Sequence, residues 1–100
     1  MAITTFTPAE AFAPGEYIRE ELQARGWTQS DLAKIIGRPL QAVNEIVNGK
    51  KSITAETAKE IGLAFGTGPE LWLNLENAFR LATTPEPDVR IARRAMAMNR

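Results

Sequence analysis

The residues best suited to chemistry lie together in the middle of the chain. Gln41 and Asn44 carry amides that can both donate and accept hydrogen bonds, and Glu45 beside them carries a carboxylate. Lys50 and Lys51 follow a few residues later. An amide can bond bidentately to adenine, and an ammonium group attracts phosphate, so this combination favours recognition of DNA over catalysis.

Catalysis finds little support elsewhere in the sequence. The chain contains no Cys and no His, which removes thiol nucleophiles, most zinc sites and the commonest general base. Ser30 and Ser52 therefore have no imidazole to activate them. Two pairs of carboxylates, Glu20 with Glu21 and Glu56 with Glu60, are expected on helix surfaces. We expect neither an enzyme nor a bound cofactor or metal.

The overall composition is that of one compact domain. Of the 100 residues, 44% are hydrophobic and 24% are charged. No apolar run approaches the roughly 18 residues that a membrane helix needs, and the first residues lack the basic and apolar parts of a secretory signal. These features, with the absence of Cys, predict a cytoplasmic protein that has no membrane partner.

The charge distribution is more informative than the net charge of +0. Residues 25–52 hold five basic and two acidic side chains, a net of +3, and residues 88–100 also carry +3. Residues 1–24 and 53–87 each carry −3. A basic segment between acidic flanks can hold a polyanion although the whole chain is neutral.

The pattern of prolines, glycines and apolar residues predicts an all-α fold of five helices. Pro14, Thr28, Pro39, Thr54 and Gly68-Pro69 mark the helix starts, and the stops are marked by Gly26, Gly37, Asn48-Gly49, Gly66 and Pro85. Residues 88–99 could add a short sixth helix. We divide the chain into an N-terminal arm (1–13), a helical domain (14–84) and a basic tail (85–100).

The apolar spacing also predicts which helix faces are buried. In the second helix, Ile35 is expected to lie in the core with Leu32 and Ala33. The fifth helix shows a continuous stripe of apolar side chains, made of Leu71, Trp72, Leu75, Ala78, Phe79 and Ala82. Leu73 and Leu81 fall outside this stripe, so they are candidates for a dimer interface.

Three small or apolar residues predict how the second and third helices cross. Ala33 allows close approach, Gly37 tolerates a left-handed backbone at the turn, and Val43 packs back on the first of the two helices. Their spacing is the one that a helix-turn-helix requires. The alternative is a plain hairpin of two helices inside a bundle.

A helix-turn-helix reads bases with the outward side chains of its second helix. Those base-reading candidates are Pro39, Leu40, Gln41, Asn44 and Glu45. The candidates for phosphate contact are Thr28, Gln29 and Ser30 at a helix N-terminus, followed by Arg38, Asn48, Lys50 and Lys51. Glu45 has two interpretations: it accepts a hydrogen bond from cytosine, or it pairs with a neighbouring Lys or Arg and repels wrong sites.

Four segments resemble the HigA-type antitoxins, a branch of the Xre (phage-repressor-like) helix-turn-helix proteins. They are "PGEYIREEL" at Pro14–Leu22, "TQSDLAKIIG" at Thr28–Gly37, "VNEIVNGKKSIT" at Val43–Thr54 and "TAKEIGLAFGTGPELWLNLENAFRL" at Thr57–Leu81. The resemblance implies a lambda-repressor-like domain, a homodimer, a palindromic operator and a partner toxin of the RelE-like ribonuclease type. Such an antitoxin blocks the toxin and represses their shared operon.

The resemblance also implies that Gln29, Gln41, Asn44 and Lys50 touch DNA. The chain departs from the family at Ala13, where His is common, at Ser52, where Gly is common, and at Gly68, where Ser is common. The tail matches no family segment; it could bind toxin, bind DNA or remain solvated. The other functions considered are a stand-alone Xre regulator and a protein-binding module that no longer binds DNA.

Overall fold

The computed structural model describes residues 12–99, which contain six helices and no strand. They are α1 (Pro14–Arg25), α2 (Gln29–Ile36), α3 (Leu40–Val47), α4 (Ala55–Phe65), α5 (Pro69–Thr83) and α6 (Arg90–Met98). The all-α prediction is confirmed, and the tail does form a sixth helix. Most of the N-terminal arm lies outside the described residues. None of the six helices is long and apolar enough to span a membrane.

Side-chain caps fix where two of the central helices begin. Thr28 accepts from the Asp31 amide and Thr54 accepts from the Thr57 amide, and in each case the third residue bonds back to the cap. These reciprocal capping boxes satisfy amides that the first helical turn leaves unpaired. The helix starts predicted at Thr28 and Thr54 are therefore correct.

The core lies where α1, α2, α3, α4 and α5 meet. Trp72 of α5 is 1% exposed, and its ring packs against that of Phe65 of α4 in a tilted arrangement, with 5.7 Å between the centroids. Its indole Nε1 donates to the Thr67 hydroxyl at 2.8 Å, so the polar edge of the ring is satisfied although the residue is buried. The other large side chains that are fully buried are Ile18 of α1, Leu32 of α2, Val43 of α3 and Ile61 of α4.

Gly15 allows α1 to meet the end of α3 with no side chain between them. A Cβ placed on Gly15 would lie 1.8 Å from the Val47 carbonyl oxygen, which no real contact allows. The absence of a side chain therefore sets the distance between α1 and the loop that follows α3. This geometry explains the glycine of the Pro-Gly pair at the start of α1.

Some predictions of which side chains of α2 and α5 are buried are wrong. Ile35 is half exposed rather than buried. Leu71 is 45% exposed, and Ala78 and Ala82 are exposed as well, so they do not continue the core stripe of Trp72. Leu73, expected outside the core, is half-buried and packs against it. Helix α5 thus turns the side of Trp72, Leu73 and Glu76 towards the core and the side of Leu71, Ala78 and Ala82 towards solvent.

Candidate nucleic-acid interface

Helices α2 and α3 cross in the geometry that the sequence predicted. Gly37 has φ 74°, and its amide and that of Arg38 both donate to the Ala33 carbonyl, at 2.9 and 3.0 Å. Ala33 and Val43 are buried where the two helices pack. The predicted roles of these three residues in the helix-turn-helix are confirmed.

The N-terminus of α2 leaves two backbone donors available. Within the capping box, the Asp31 amide donates to Thr28 Oγ1 at 3.0 Å and the Thr28 amide donates to Asp31 Oδ2 at 2.9 Å. These bonds from Thr28 hold the pKa of the Asp31 carboxyl below its ordinary value. The amides of Gln29 and Ser30 have no acceptor within the helix, so they can bind an anion at the positive end of the helix dipole.

The outer face of α3 is open to solvent. Leu40 is half exposed, and Gln41 and Asn44 are exposed on the same side of the helix. Pro39 is the residue that caps α3, and it is exposed too. One apolar and two amide side chains are thus available to base edges in a major groove.

Hydrogen bonds tie this face to α1 and α2. Arg19 donates to Asn48 Oδ1 at 2.8 Å, Asn48 Nδ2 donates to Asn44 Oδ1 at 3.0 Å, and Asn44 Nδ2 donates to Gln29 Oε1 at 3.2 Å. The three amides were predicted from the sequence, but Arg19 was not. The sequence holds no local signal for Arg19, because Arg19 and Asn48 are 29 positions apart.

Glu45 lies beside the basic loop. Its carboxylate is 3.8 Å from the Lys51 ammonium, and its carbonyl accepts from the amides of Lys50 and Lys51 at 2.8 and 3.2 Å. The pairing belongs to the second of the two interpretations, in which Glu45 bonds a neighbouring lysine. A bond to cytosine stays a prediction.

Arg38 turns towards α4 rather than outward. Its Nε and Nη2 donate to the two carboxylate oxygens of Glu60 at 2.6 and 3.0 Å, and Nη2 is 3.5 Å from the Glu56 carboxylate. The pairing lowers the pKa of the Glu60 carboxyl and raises that of the Arg38 guanidinium. A bidentate pair of this kind fixes the turn between α2 and α3 on α4. A phosphate group that contacted Arg38, as predicted from the sequence, would have to compete with the Glu60 carboxylate.

A buried glutamate positions the loop that carries Lys50 and Lys51. Glu76 of α5 is 5% exposed; its Oε1 accepts from the Ile53 amide at 3.0 Å and its Oε2 accepts from Arg80. Arg80 also donates to the Gly49 carbonyl at 3.4 Å. The pairing of Glu76 with Arg80 was not predicted from the sequence, although their separation by four residues was a visible signal for it.

The exposed side of α5 differs from the predicted dimer face. Leu71, Ala78 and Ala82 lie on one side of the helix, with the half-buried Leu75 between them, and we call these four residues the α5 stripe. Leu81 is 80% exposed on another side. Helix α6 follows with no buried residue; Arg90 at its start pairs with Asp88 at 2.9 Å and lowers the pKa of that carboxyl.

Comparisons with known proteins agree with this geometry. The helix-turn-helix family model HTH_3 matches residues 18–72. Virulence-associated protein I of Dichelobacter nodosus is 39% identical over 72 residues, which cover 71% of this chain and 67% of that protein.

Two solved structures extend the similarity beyond the motif. An addiction module antidote protein of a HigA family from Coxiella burnetii has a TM-score of 0.68 and 33% identity, over 89% of this chain and 91% of that one. The antitoxin HigA of Pseudomonas aeruginosa, solved with the higBA promoter, has a TM-score of 0.69 and 28% identity, over 89% and 92%. The family consists of DNA-binding regulators and antitoxins rather than enzymes. The chain therefore belongs to the HTH_3 (Xre-like) helix-turn-helix family, and its structural neighbours are antitoxins of the HigA family.

Proposed function

We propose that this protein is the antitoxin of a type II toxin–antitoxin pair, which binds its own operator as a dimer and neutralises a RelE-like ribonuclease toxin. The observation that carries the proposal is the exposed face of α3, where Gln41 and Asn44 lie beside the open amides at the start of α2. The antitoxin HigA solved with promoter DNA has the same fold over most of the chain. An operator-binding protein of this kind works in the cytoplasm.

Repression would follow from blocking the promoter. The start of α2 and the lysines of the loop hold phosphates and so place the protein on the duplex, whereas Leu40, Gln41 and Asn44 give preference for particular bases. The basic segment is doubled in a dimer. Two α3 helices about 34 Å apart would read a palindromic operator in successive major grooves.

The α5 stripe supports dimer formation through α5. Leu71 and Leu75 offer apolar area, while Ala78 and Ala82 let a second helix approach closely. This face replaces the pair Leu73 and Leu81 as our first candidate, because Leu73 already packs against the core. Leu81 remains available on a separate side of α5.

A growth experiment tests whether this protein neutralises a toxin. The neighbouring gene should encode a small basic protein whose expression alone arrests growth, and co-expression of this chain should restore it. The acidic segments 1–24 and 53–87 are suited to a basic partner. Failure to restore growth, together with intact operator binding, would favour a stand-alone Xre regulator. Restored growth without any operator binding would favour a module that only neutralises its partner.

A further inference from the structure

A continuous series of side-chain hydrogen bonds runs from α1 to the start of α2. It consists of Arg19, Asn48, Asn44 and Gln29, joined by bonds of 2.8, 3.0 and 3.2 Å in that order, and we call it the amide relay. Three of its members lie on or beside the helix-turn-helix. Arg19 is on α1, outside the motif.

Arg19 decides the direction of every bond in the relay. A guanidinium can only donate, whereas a carboxamide can present either its oxygen or its nitrogen to a neighbour. Donation from Arg19 requires the oxygen of Asn48 to face α1, so the nitrogen of Asn48 faces Asn44. The same logic turns the nitrogen of Asn44 towards Gln29, whose oxygen accepts.

The last amide in the series is therefore left with its donor group available. Gln29 Oε1 accepts from Asn44, and the Nε2 protons of Gln29 have no acceptor among residues 12–99. Gln29 is the first residue of α2, beside the backbone amides that can bind an anion. A phosphate oxygen can only accept, so this orientation of Gln29 matches it.

We propose that Arg19 is a positioning residue for DNA binding, which acts through the amide relay by orienting the amides of Asn48, Asn44 and Gln29. The proposal rests on the operator binding proposed above. Glu16 supports the position of Arg19, because its carboxylate lies 3.6 Å from the guanidinium one helical turn away. Arg19 is itself 46% exposed, so direct attraction to phosphate is the alternative to be separated by experiment.

The binding experiment titrates the full chain onto the DNA upstream of its gene across a series of salt concentrations. Arg19→Met should weaken binding about two- to twelve-fold, the ratio expected for one net hydrogen bond, with an unchanged salt dependence. Arg19→Lys should retain most of the affinity, because ammonium is also a pure donor. Lys59→Met removes one exposed positive charge from α4 and serves as the charge-matched control, with affinity unchanged.

Two results in this experiment would overturn the proposal. The salt slope is the slope of the logarithm of the binding constant against the logarithm of the salt concentration. A fall of about 0.9 in the size of this slope for Arg19→Met would show a direct phosphate contact instead of a relay. The same loss for Arg19→Met in a Gln29→Ala background would show that Arg19 does not act through Gln29; the relay requires that loss to become smaller there.

A second experiment on the free chain separates the relay from operator binding. In ¹⁵N-labelled protein, Arg19→Met should shift the side-chain amide resonances of Asn48, Asn44 and Gln29, and Arg19→Lys should shift them much less. A change confined to Asn48 would refute the relay. If wild-type protein bound upstream and random DNA equally, the proposed function would fail, while these resonances would still decide the orientation of the amides.

Discussion

Asn44 Nδ2 donates to Gln29 Oε1 at 3.2 Å, so the proposed base-reading side of α3 is joined to the proposed phosphate-binding end of α2 before any DNA is present. Both side chains are expected to touch DNA, and their mutual bond reduces the rotamer freedom that each would lose on binding. A site organised in this way has a smaller entropic cost of association. The helix-turn-helix therefore presents one connected polar surface rather than two independent ones.

Substitution of Gly15 tests the contact between α1 and the end of α3. Gly15→Ala places a methyl group 1.8 Å from the Val47 carbonyl oxygen, so α1 must move. We expect the free energy of unfolding to fall by about 3 kcal/mol, as measured by urea denaturation. Gly68→Ala is the matched control, since its φ is −75° and its new methyl meets only the flexible side chain of Glu70. Equal stability of the two variants would contradict the close approach.

Substitution of Glu76 tests how the basic loop is held. Glu76→Ala leaves the buried Ile53 amide without its acceptor and should cost about 2 kcal/mol of stability. Glu76→Gln should cost less, because its amide oxygen can still accept from Ile53. Hydrogen exchange should accelerate at the Ile53 amide in the alanine variant. Asn74→Ala, on the exposed side of the same helix, is the control. If Glu76→Ala and Asn74→Ala had the same stability and the same exchange rate at the Ile53 amide, the loop would not depend on Glu76.

The pair of Arg38 and Glu60 predicts a loss of stability in acid. The ordinary pKa of a glutamate carboxyl is 4.5, and the Arg38 guanidinium lowers the pKa of Glu60 in the folded state. The resulting stabilisation is present above the unfolded-state pKa and is lost as the pH falls through the folded-state value. The difference in unfolding free energy between wild type and Glu60→Gln should therefore shrink as the pH is lowered from 4.5. A difference that stayed constant over this range would show that the pair contributes nothing.

Single acidic substitutions separate the two candidate dimer faces. Ala78 lies in the α5 stripe and is exposed in the monomer, so Ala78→Asp should leave the fold intact but halve the mass measured by light scattering. Leu81→Asp, on another side of α5, should leave the dimer intact. Dissociation by Leu81→Asp alone would restore the face first predicted from the sequence, and a monomeric wild-type chain would exclude both.

Local signals predicted the helix boundaries because the cause of each boundary is local. The Thr28 and Thr54 caps depend on residues three positions away, and Gly26, Gly37 and Gly66 each adopt the left-handed backbone that ends a helix. The helix-turn-helix was predictable for the same reason. Its three defining residues lie within one short segment.

Faces and long-range partners were not predictable in this way. Ile35 and Ala78 are apolar residues at plausible core positions, but which side of a helix is covered depends on where its neighbours pack. Arg38 was predicted from the sequence to contact phosphate, but in the structure it pairs with Glu60, which is 22 positions away. Such partners are set by the fold, and no spacing in one sequence encodes them.

In the proposed complex, α3 reads bases while the loop after it holds the phosphate backbone. The most direct measurement compares Gln41→Ala and Lys50→Ala on the upstream DNA and on random DNA over a range of salt concentrations. Gln41→Ala should lose about 1–3 kcal/mol on the operator only and relax preference at one base position, whereas Lys50→Ala should weaken both DNAs alike and lower the salt slope by about 1. Equal losses on operator and random DNA for Gln41→Ala would contradict the claim.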